Sequence, residues 1–316
     1  MSDNVLYHLV QPSKSAPSGY RSSENVDFDL AFEGRKLVSG SLRLEGDVQI
    51  FQADGTTRIE PGVDIKIDEK VGAHAFCSGW VTSFQNSGTV ENLSSYPRLV
   101  AMKTVGQMSK NDMNNSDMVC EMRTPNPTLA TKSLLTRVPK AYGGGGAGLV
   151  TGATAASQLQ SSMETDPSFS IKPLIGLNTL VGANQVISYN QTGMIKVTVT
   201  LEKDLGVLYG GVVTTGNRYA LQNLRMTFRS VPEDGKMAPI VMRTSLSIKN
   251  SMTSAVNNVS SKVPAVVDSV TLSYLPQERE YAPGFNNMAL EEPPGFSKIT
   301  FSFNDALNRF VTYQID

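Results

Sequence analysis

Histidine, cysteine and tryptophan are nearly missing from this chain of 316 residues: two, two and one. Cys77 and Cys120 cannot make a disulfide framework, and alone they cannot complete a zinc site. Free buried thiols in a reducing cytoplasmic or nuclear setting are the expectation. Charge is scarce as well. Asp, Glu, Lys and Arg make up 18% of the chain, below the ~25% of ordinary soluble domains. The formal net charge of -1 gives no bulk attraction to nucleic acid or to an anionic membrane. Low charge suits large subunit contacts, and it suits many all-β proteins equally. No apolar run approaches the ~18 residues that would span a bilayer. Met1–Val5 lacks the basic and then apolar run of a secretory signal, and the Met-Gly of a myristoylation site. Synthesis in the cytoplasm, with no membrane span, is expected.

What the chain has is alternation. In Met194–Glu202, Ile195, Val197, Val199 and Leu201 alternate with Lys196, Thr198, Thr200 and Glu202. A period of two sends the first set to one face of a pleated strand and the second to the other. Gly193 marks a turn before it, and β-branched residues fit a half-buried sheet. The same pattern recurs at Leu42, Leu44, Val48 and Ile50, with Gly46 read as a bulge, and at Val63, Ile65 and Ile67. It returns in Phe76–Phe84, at Phe169 and Ile171, and at Leu224, Met226 and Phe228. Further strands are expected around Val241, Leu246 and Ile248, and around Val270, Leu272 and Tyr274. Ile299, Phe301 and Phe303 follow, with Phe310–Ile315 closing the sheet. One helix is expected, from Tyr96 to about Gly106, with Pro97 in its first turn. Many short strands, long loops and little helix give an all-β fold, a jelly-roll β-sandwich with a long insertion between strands.

The division of the chain follows its texture. Residues 1–25 are an N-terminal arm, because Gln11–Asn25 is rich in Ser, Pro, Gly and Lys. It either threads onto a neighbouring subunit or stays a mobile tail. Residues 26–106 and 168–316 form the jelly roll. Residues 107–167, with Met108, Met113, Met118 and Met122, a Pro-Asn-Pro and a glycine tract, are an insertion. It is a set of loops or a small projecting subdomain.

Signals of chemistry are weak. Gly143–Gly148 satisfies Gly-x-Gly-x-x-Gly only because it is nearly all glycine, with no βαβ unit around it and no Gly-Lys-Ser/Thr after it. His74 and Cys77 sit close in sequence, yet no nucleophile elbow or third orienting group accompanies them. His74 reads as a satisfied strand-edge histidine, and His8 sits in the N-terminal segment. Glu278, Glu280, Glu291, Glu292, Glu233 and Asp234 read as solvated loop acids, with no calcium-loop pattern. Lys132, Arg137 and Lys140 are dispersed and not interleaved with aromatics, so no specific nucleic-acid partner is expected. No catalytic, cofactor-binding or metal-binding residue is assigned, no cofactor is expected, and the chain reads as not an enzyme.

Several stretches taken together resemble one family. These are Glu91-Asn92-Leu93-Ser94-Ser95-Tyr96-Pro97-Arg98, Lys172-Pro173-Leu174-Ile175-Gly176-Leu177-Asn178, the Ile195 strand running on to Leu208-Tyr209-Gly210, and Tyr219-Ala220-Leu221 to Asp234-Gly235. They are similar to the minor capsid (penton) proteins of virophages, adintoviruses and Polinton-like double-stranded DNA viruses, from about residue 70 onward. The resemblance implies an upright jelly roll, five copies forming a homopentamer at each icosahedral vertex. It implies the major capsid protein of the same virus as partner and the virion as location. The insertion would project outward, and the arm would face neighbouring capsomers. The family supplies no catalytic residue. The alternative is a jelly-roll carbohydrate- or receptor-binding module of a virus particle, which needs exposed aromatics on a sheet face.

Overall fold

The computed structural model describes residues 4–59, 65, 67–68, 70–107, 120–123, 168–182, 185–209, 216–249, 251, 269–288, 299–304 and 310–315. In chain order the strands are β1 Leu6–Val10, β2 Tyr20–Arg21, β3 Asn25–Leu30, β4 Arg35–Val38, β5 Arg43–Phe51, β6 Cys77–Phe84 and β7 Gly88–Leu93. After helix α1, Tyr96–Gln107, come β8 Ser168–Ile171, β9 Val186–Ser188, helix α2 Tyr189–Thr192, β10 Ile195–Leu201, helix α3 Asp204–Val207 and β11 Arg218–Pro232. β12 Ile299–Asn304 and β13 Phe310–Ile315 close the described chain.

The 15-residue β11 organises one sheet. Ser230 pairs with Leu6 of β1 on one side and with Leu37 of β4 on the other. Further along, Ala220 pairs with Arg21 of β2 and with Gln49 of β5. So β1 and β2 lie end to end along one edge of β11, and β4 and β5 lie end to end along the other. β8 and β9 pair outboard of β5 and β4. The second sheet runs β3-β10-β6-β7. If each end-to-end pair counts as one strand, the eight strands in chain order fall into sheets 1-8-3-6 and 2-7-4-5. That order is the double Greek key of a jelly roll, and it fixes the fold from topology alone.

The dry faces meet between the sheets. Ile195, Val197, Val199 and Leu201 of β10, Val26, Phe28 and Leu30 of β3, and Trp80 and Phe84 of β6 are buried against Tyr219, Leu221, Leu224, Met226 and Phe228 of β11. Each such side chain removed from water contributes about 1.5–3 kcal/mol. On the wet face of β10, Lys196 pairs with Asp27 at 2.9 Å, and Thr198 and Thr200 donate to Asp27 and Asn25. Glu202, expected on that wet face, is buried instead. The register of β10 against β6 shifts between Thr200 and Leu201, and the chain turns inward there.

Further expectations change. The extra residue near Gly46 lies in the partner strand: the β5–β11 register shifts between Gln222 and Arg225, and Asn223 has φ 50°. A Cβ on Gly46 would sit 3.1 Å from the Gln222 carbonyl and 3.2 Å from Phe169, so the glycine makes room for the bulge. Residues 6–10 and 20–21 of the expected arm are strands of the sandwich, because β11 offers an unpaired edge that their main chain satisfies. The alternation at Ile65 and Ile67 buries both side chains outside any strand, and Val63 lies outside the described residues. Val241, Leu246, Ile248, Val270 and Leu272 lie outside any strand, and all five are exposed. β12 and β13 pair with each other and leave the sandwich sheets as they are. Helix α1 ends one residue past the expected Gly106. Of the insertion, residues 107 and 120–123 are described, and Gly143–Gly148 lies outside the described residues.

Candidate functional site

The two histidines are structural in their surroundings. His74 lies in a short 3-10 helix, Gly72–Phe76, that carries the chain into β6, and it is buried. The Leu174 amide donates to Tyr96 Oη at 3.0 Å, and Tyr96 Oη lies 2.8 Å from His74 Nδ1. The tautomer that satisfies all three groups is Nε2–H, with the Tyr96 hydroxyl donating to Nδ1. His74 Nε2 sits 3.3 Å from Glu121 Oε2, out of line for a good hydrogen bond. Burial holds the imidazole below its ordinary value, and the Glu121 carboxylate only partly offsets it. Burial also opposes charge on Glu121. The His74 ring, the Lys172 amide and Arg123 outweigh burial and keep that carboxyl below its ordinary range. Glu121 and Arg123 come from the stretch whose sequence showed no periodicity, so no pattern could have found them.

Cys77, three residues on, is buried, and burial pushes its thiol far up, helped by the Glu202 carboxylate. A thiol held protonated and away from water is not a nucleophile. His8 gives the other suggestive pair. Its Nε2 lies 2.7 Å from Ser230 Oγ, and its ring stacks on Phe228 at 4.5 Å. Arg35 Nε donates to the same Ser230 oxygen at 2.7 Å, and Ser230 is wholly buried. The hydroxyl therefore ties β1 to β4 across β11 and leaves no lone pair aimed at a substrate.

Buried carboxylates hold the loops together. Glu91, on β7, accepts from the Gly176 amide with both oxygens, at 3.0 and 2.9 Å, and from Thr82 Oγ1 at 3.3 Å. Burial raises its pKa above the ordinary carboxylate value, although these bonds oppose the shift. Asn178 donates to the carbonyls of Leu42 and Pro173 and accepts from the Leu42 amide. Arg98 donates to the Asn287 carbonyl. The stretches Glu91–Arg98 and Lys172–Asn178 are thus one internal clamp, joining β7, α1 and the chain after β8. Burial likewise raises Glu202, which accepts from the Lys203 amide and from Tyr281 Oη at 3.3 Å. Glu233 and Asp234 are engaged by Lys36, and Glu280 by Lys249. Glu291 and Glu292 lie outside the described residues. Among the described residues no three metal-ligating side chains converge.

One open, polar cleft of about 630 Å³ lies where β2, the Asp54–Gly55 turn, α3 and the start of β11 meet. Its acids are committed. Asp54 accepts from the Thr56 and Thr57 amides and the Thr57 hydroxyl, which set its pKa at about 2. Asp204 accepts from Ser22 Oγ and the Tyr219 amide. Trp80, the residue a sugar platform would want exposed, is fully buried and packs edge-on to Tyr96 at 5.7 Å.

The exterior carries the unusual feature. Of the twelve large hydrophobic side chains exposed among the described residues, seven lie between Met237 and Phe285. Leu6, Tyr7 and Leu9 form a second group on β1, with Tyr7 80% exposed. Residues Leu180 and Met242 make an isolated bridge.

The fold has solved relatives in shape. PBCV-1 VP54, as fitted into a reconstruction of the virophage Sputnik, is similar over 74% of this chain and 44% of its own, at 9% identity and a TM-score of 0.40. The mavirus major capsid protein is similar over 74% of this chain and 47% of its own, at 10% identity and a TM-score of 0.34. This chain spans less than half the length of either. No protein-family model and no curated protein matches the sequence. Both likenesses are of architecture; the fold itself rests on the strand order above.

Proposed function

We propose that this chain is a non-enzymatic structural subunit of a viral capsid, the penton that closes icosahedral vertices as a homopentamer beside the major capsid protein. The observation that carries the reading is that seven of the twelve exposed large hydrophobic side chains among the described residues fall between Met237 and Phe285, outside the buried core of the sandwich. Exposed apolar surface that gathers on a folded domain marks a protein contact. The buried His74, Glu91 and Glu202 support it, because each bonds within the fold, and the buried Cys77, a thiol held protonated, supports it too. A vertex ring is a cyclic, heterologous contact, so it needs two different surfaces on each copy. The exposed β1 group and the C-terminal stretch supply two. The insertion at 107–167 and the division into arm, sandwich and insertion belong to the same proposal, with residues 6–10 and 20–21 assigned to the sandwich. The virion is the expected location, after synthesis in the host cytoplasm.

Native mass spectrometry of the full chain, alone and with the major capsid protein of the same virus, tests this. Pentamers, or pentamers that form once the partner is added, are expected. A strict monomer that never joins capsids would refute the proposal. Glycan binding by that monomer would favour the carbohydrate- or receptor-binding alternative.

A further inference from the structure

Among the described residues, strand β3 ends its sheet, with β10 on one side and no strand on the other. There the outer side is met by Ser13, whose amide donates to the Asp27 carbonyl at 2.8 Å and whose hydroxyl lies 3.2 Å from that carbonyl and 2.8 Å from Asp29 Oδ2. The faces of β3 are sharply divided. Val26, Phe28 and Leu30 are buried in the sandwich, and Asn25, Asp27 and Asp29 face outward. From Glu24 to Glu33 the chain carries Glu24, Asp27, Asp29 and Glu33 and no Lys or Arg. A free edge of this kind is a template for another strand.

The C-terminal stretch has the opposite character. Its main chain is tied down as far as Arg243, whose amide donates to the Thr179 carbonyl at 3.2 Å and whose carbonyl accepts from Thr179 Oγ1 at 2.8 Å. Thr244–Lys249 lies outside any strand, and Leu246 and Ile248 are 57% and 48% exposed. As a strand it would carry Leu246 and Ile248 on one side and Arg243, Ser245, Ser247 and Lys249 on the other. From Lys236 to Lys249 the chain carries Lys236, Arg243 and Lys249 and no acid.

We propose that Thr244–Lys249 of one copy adds as a strand to the β3 edge of a second copy. The inference rests on the reading that the chain assembles with itself. Main-chain bonds supply attraction in such an addition, and alternate side chains supply selection. Here Leu246 and Ile248 extend the dry row of Val26, Phe28 and Leu30, while Arg243 and Lys249 fall on the acidic side. In an antiparallel addition with Leu246 opposite Leu30 and Ile248 opposite Phe28, Lys249 falls opposite Asp27 and Arg243 opposite Glu33; in a parallel one with Leu246 opposite Val26, Lys249 falls opposite Asp29. The surface pair of Lys249 with Glu280 is exchanged at little cost, and among the described residues the bonds of Ser13 to Asp27 and Asp29 are the ones to be displaced.

Charge exchange in the full chain tests it. Asp29→Lys with Glu33→Lys reverses the edge; Arg243→Glu with Lys249→Glu reverses the segment; Leu246→Asp removes the apolar match. Sedimentation is expected to show each set weakening self-association about ten-fold or more. Combining both charge-reversed sets in one chain is expected to restore it. If the variants assemble as the unaltered chain does, or the combined chain stays as weak as either set alone, the strand addition is overturned and self-assembly stands. An unaltered chain that stays monomeric at every concentration overturns both.

Discussion

Replacing Glu91 is the sharpest probe of the internal clamp, because one carboxylate holds two segments 85 positions apart. Glu91→Ala removes the paired bonds to the Gly176 amide and the bond from Thr82. Net bonds of this kind contribute roughly 1 kcal/mol each, and a buried donor left without a partner costs a further ~1–3 kcal/mol. The expected loss is about 3–4 kcal/mol, with some addition from the space left behind. Glu91→Gln keeps an acceptor for Gly176 and removes a charge that burial disfavours, so its expected cost is about 1 kcal/mol or less. The pH dependence separates the two causes. Glu91 titrates higher in the folded chain than in the unfolded one. Its stabilising contribution is therefore full below the unfolded carboxylate value and is lost as pH rises through the folded one. Relative to Glu91→Gln, the unaltered chain should gain stability as pH falls from about 8 to 4. Comparing the two chains cancels Glu202, which shifts in the same direction. Urea unfolding at several pH values measures this through the midpoint at constant slope. An alanine variant within about 0.5 kcal/mol of the unaltered chain, or a glutamine variant as costly as the alanine one, would refute the clamp.

Two further predictions concern the neighbouring network. Gly72 has φ 58°, and a Cβ there would lie 2.2 Å from the Glu121 carbonyl; Gly72→Ala should cost more than about 2 kcal/mol, and an unchanged unfolding midpoint would contradict the packing of residues 121–123 on the 3-10 helix. Cys77 is buried and Cys120 half-exposed, so a thiol reagent should modify one cysteine in the native chain and both in denaturant; equal native rates would place Cys77 in contact with water.

The sandwich was legible where alternation coincides with burial. Ile195–Leu201, Leu224–Phe228 and Phe169–Ile171 were read as strands and are strands, because each presents one dry face to a core that exists within the chain. Proline in the first turn and helical spacing after Tyr96 sufficed for α1. β1 and β2 were hidden, because the pairing that makes them strands comes from β11, more than two hundred positions away. The clamp was visible as a set of unusual stretches, but its chemistry was not. Glu91, Gly176, Tyr96 and Leu174 meet only through the fold, and local periodicity carries no information about a carboxylate that bonds a distant amide. Glu121 and Arg123 lacked even that signal. His74 was expected at a strand edge, but the structure places it in a buried helical turn, where Gly72 lets the main chain pass close to residue 121.

The two kinds of alternation give the strongest reason to look for a second chain. Val197 and Val199 of β10, and Leu246 and Ile248 beyond Arg243, obey the same period of two. The first pair is completely buried, and the second is about half exposed. Period two states that a strand with one dry face is favoured; it does not state which chain provides the dryness. For β10 the answer lies in the facing sheet of β11. Leu246 and Ile248 lie outside any strand and stay exposed. Apolar side chains turned to water are surface that association can cover. As a strand on the acidic β3 edge of a second copy, the segment would gain main-chain bonds and cover together. In a closed ring each copy would give one such strand and receive one, so the same local mismatch, repeated around the ring, becomes a reason for the ring to form.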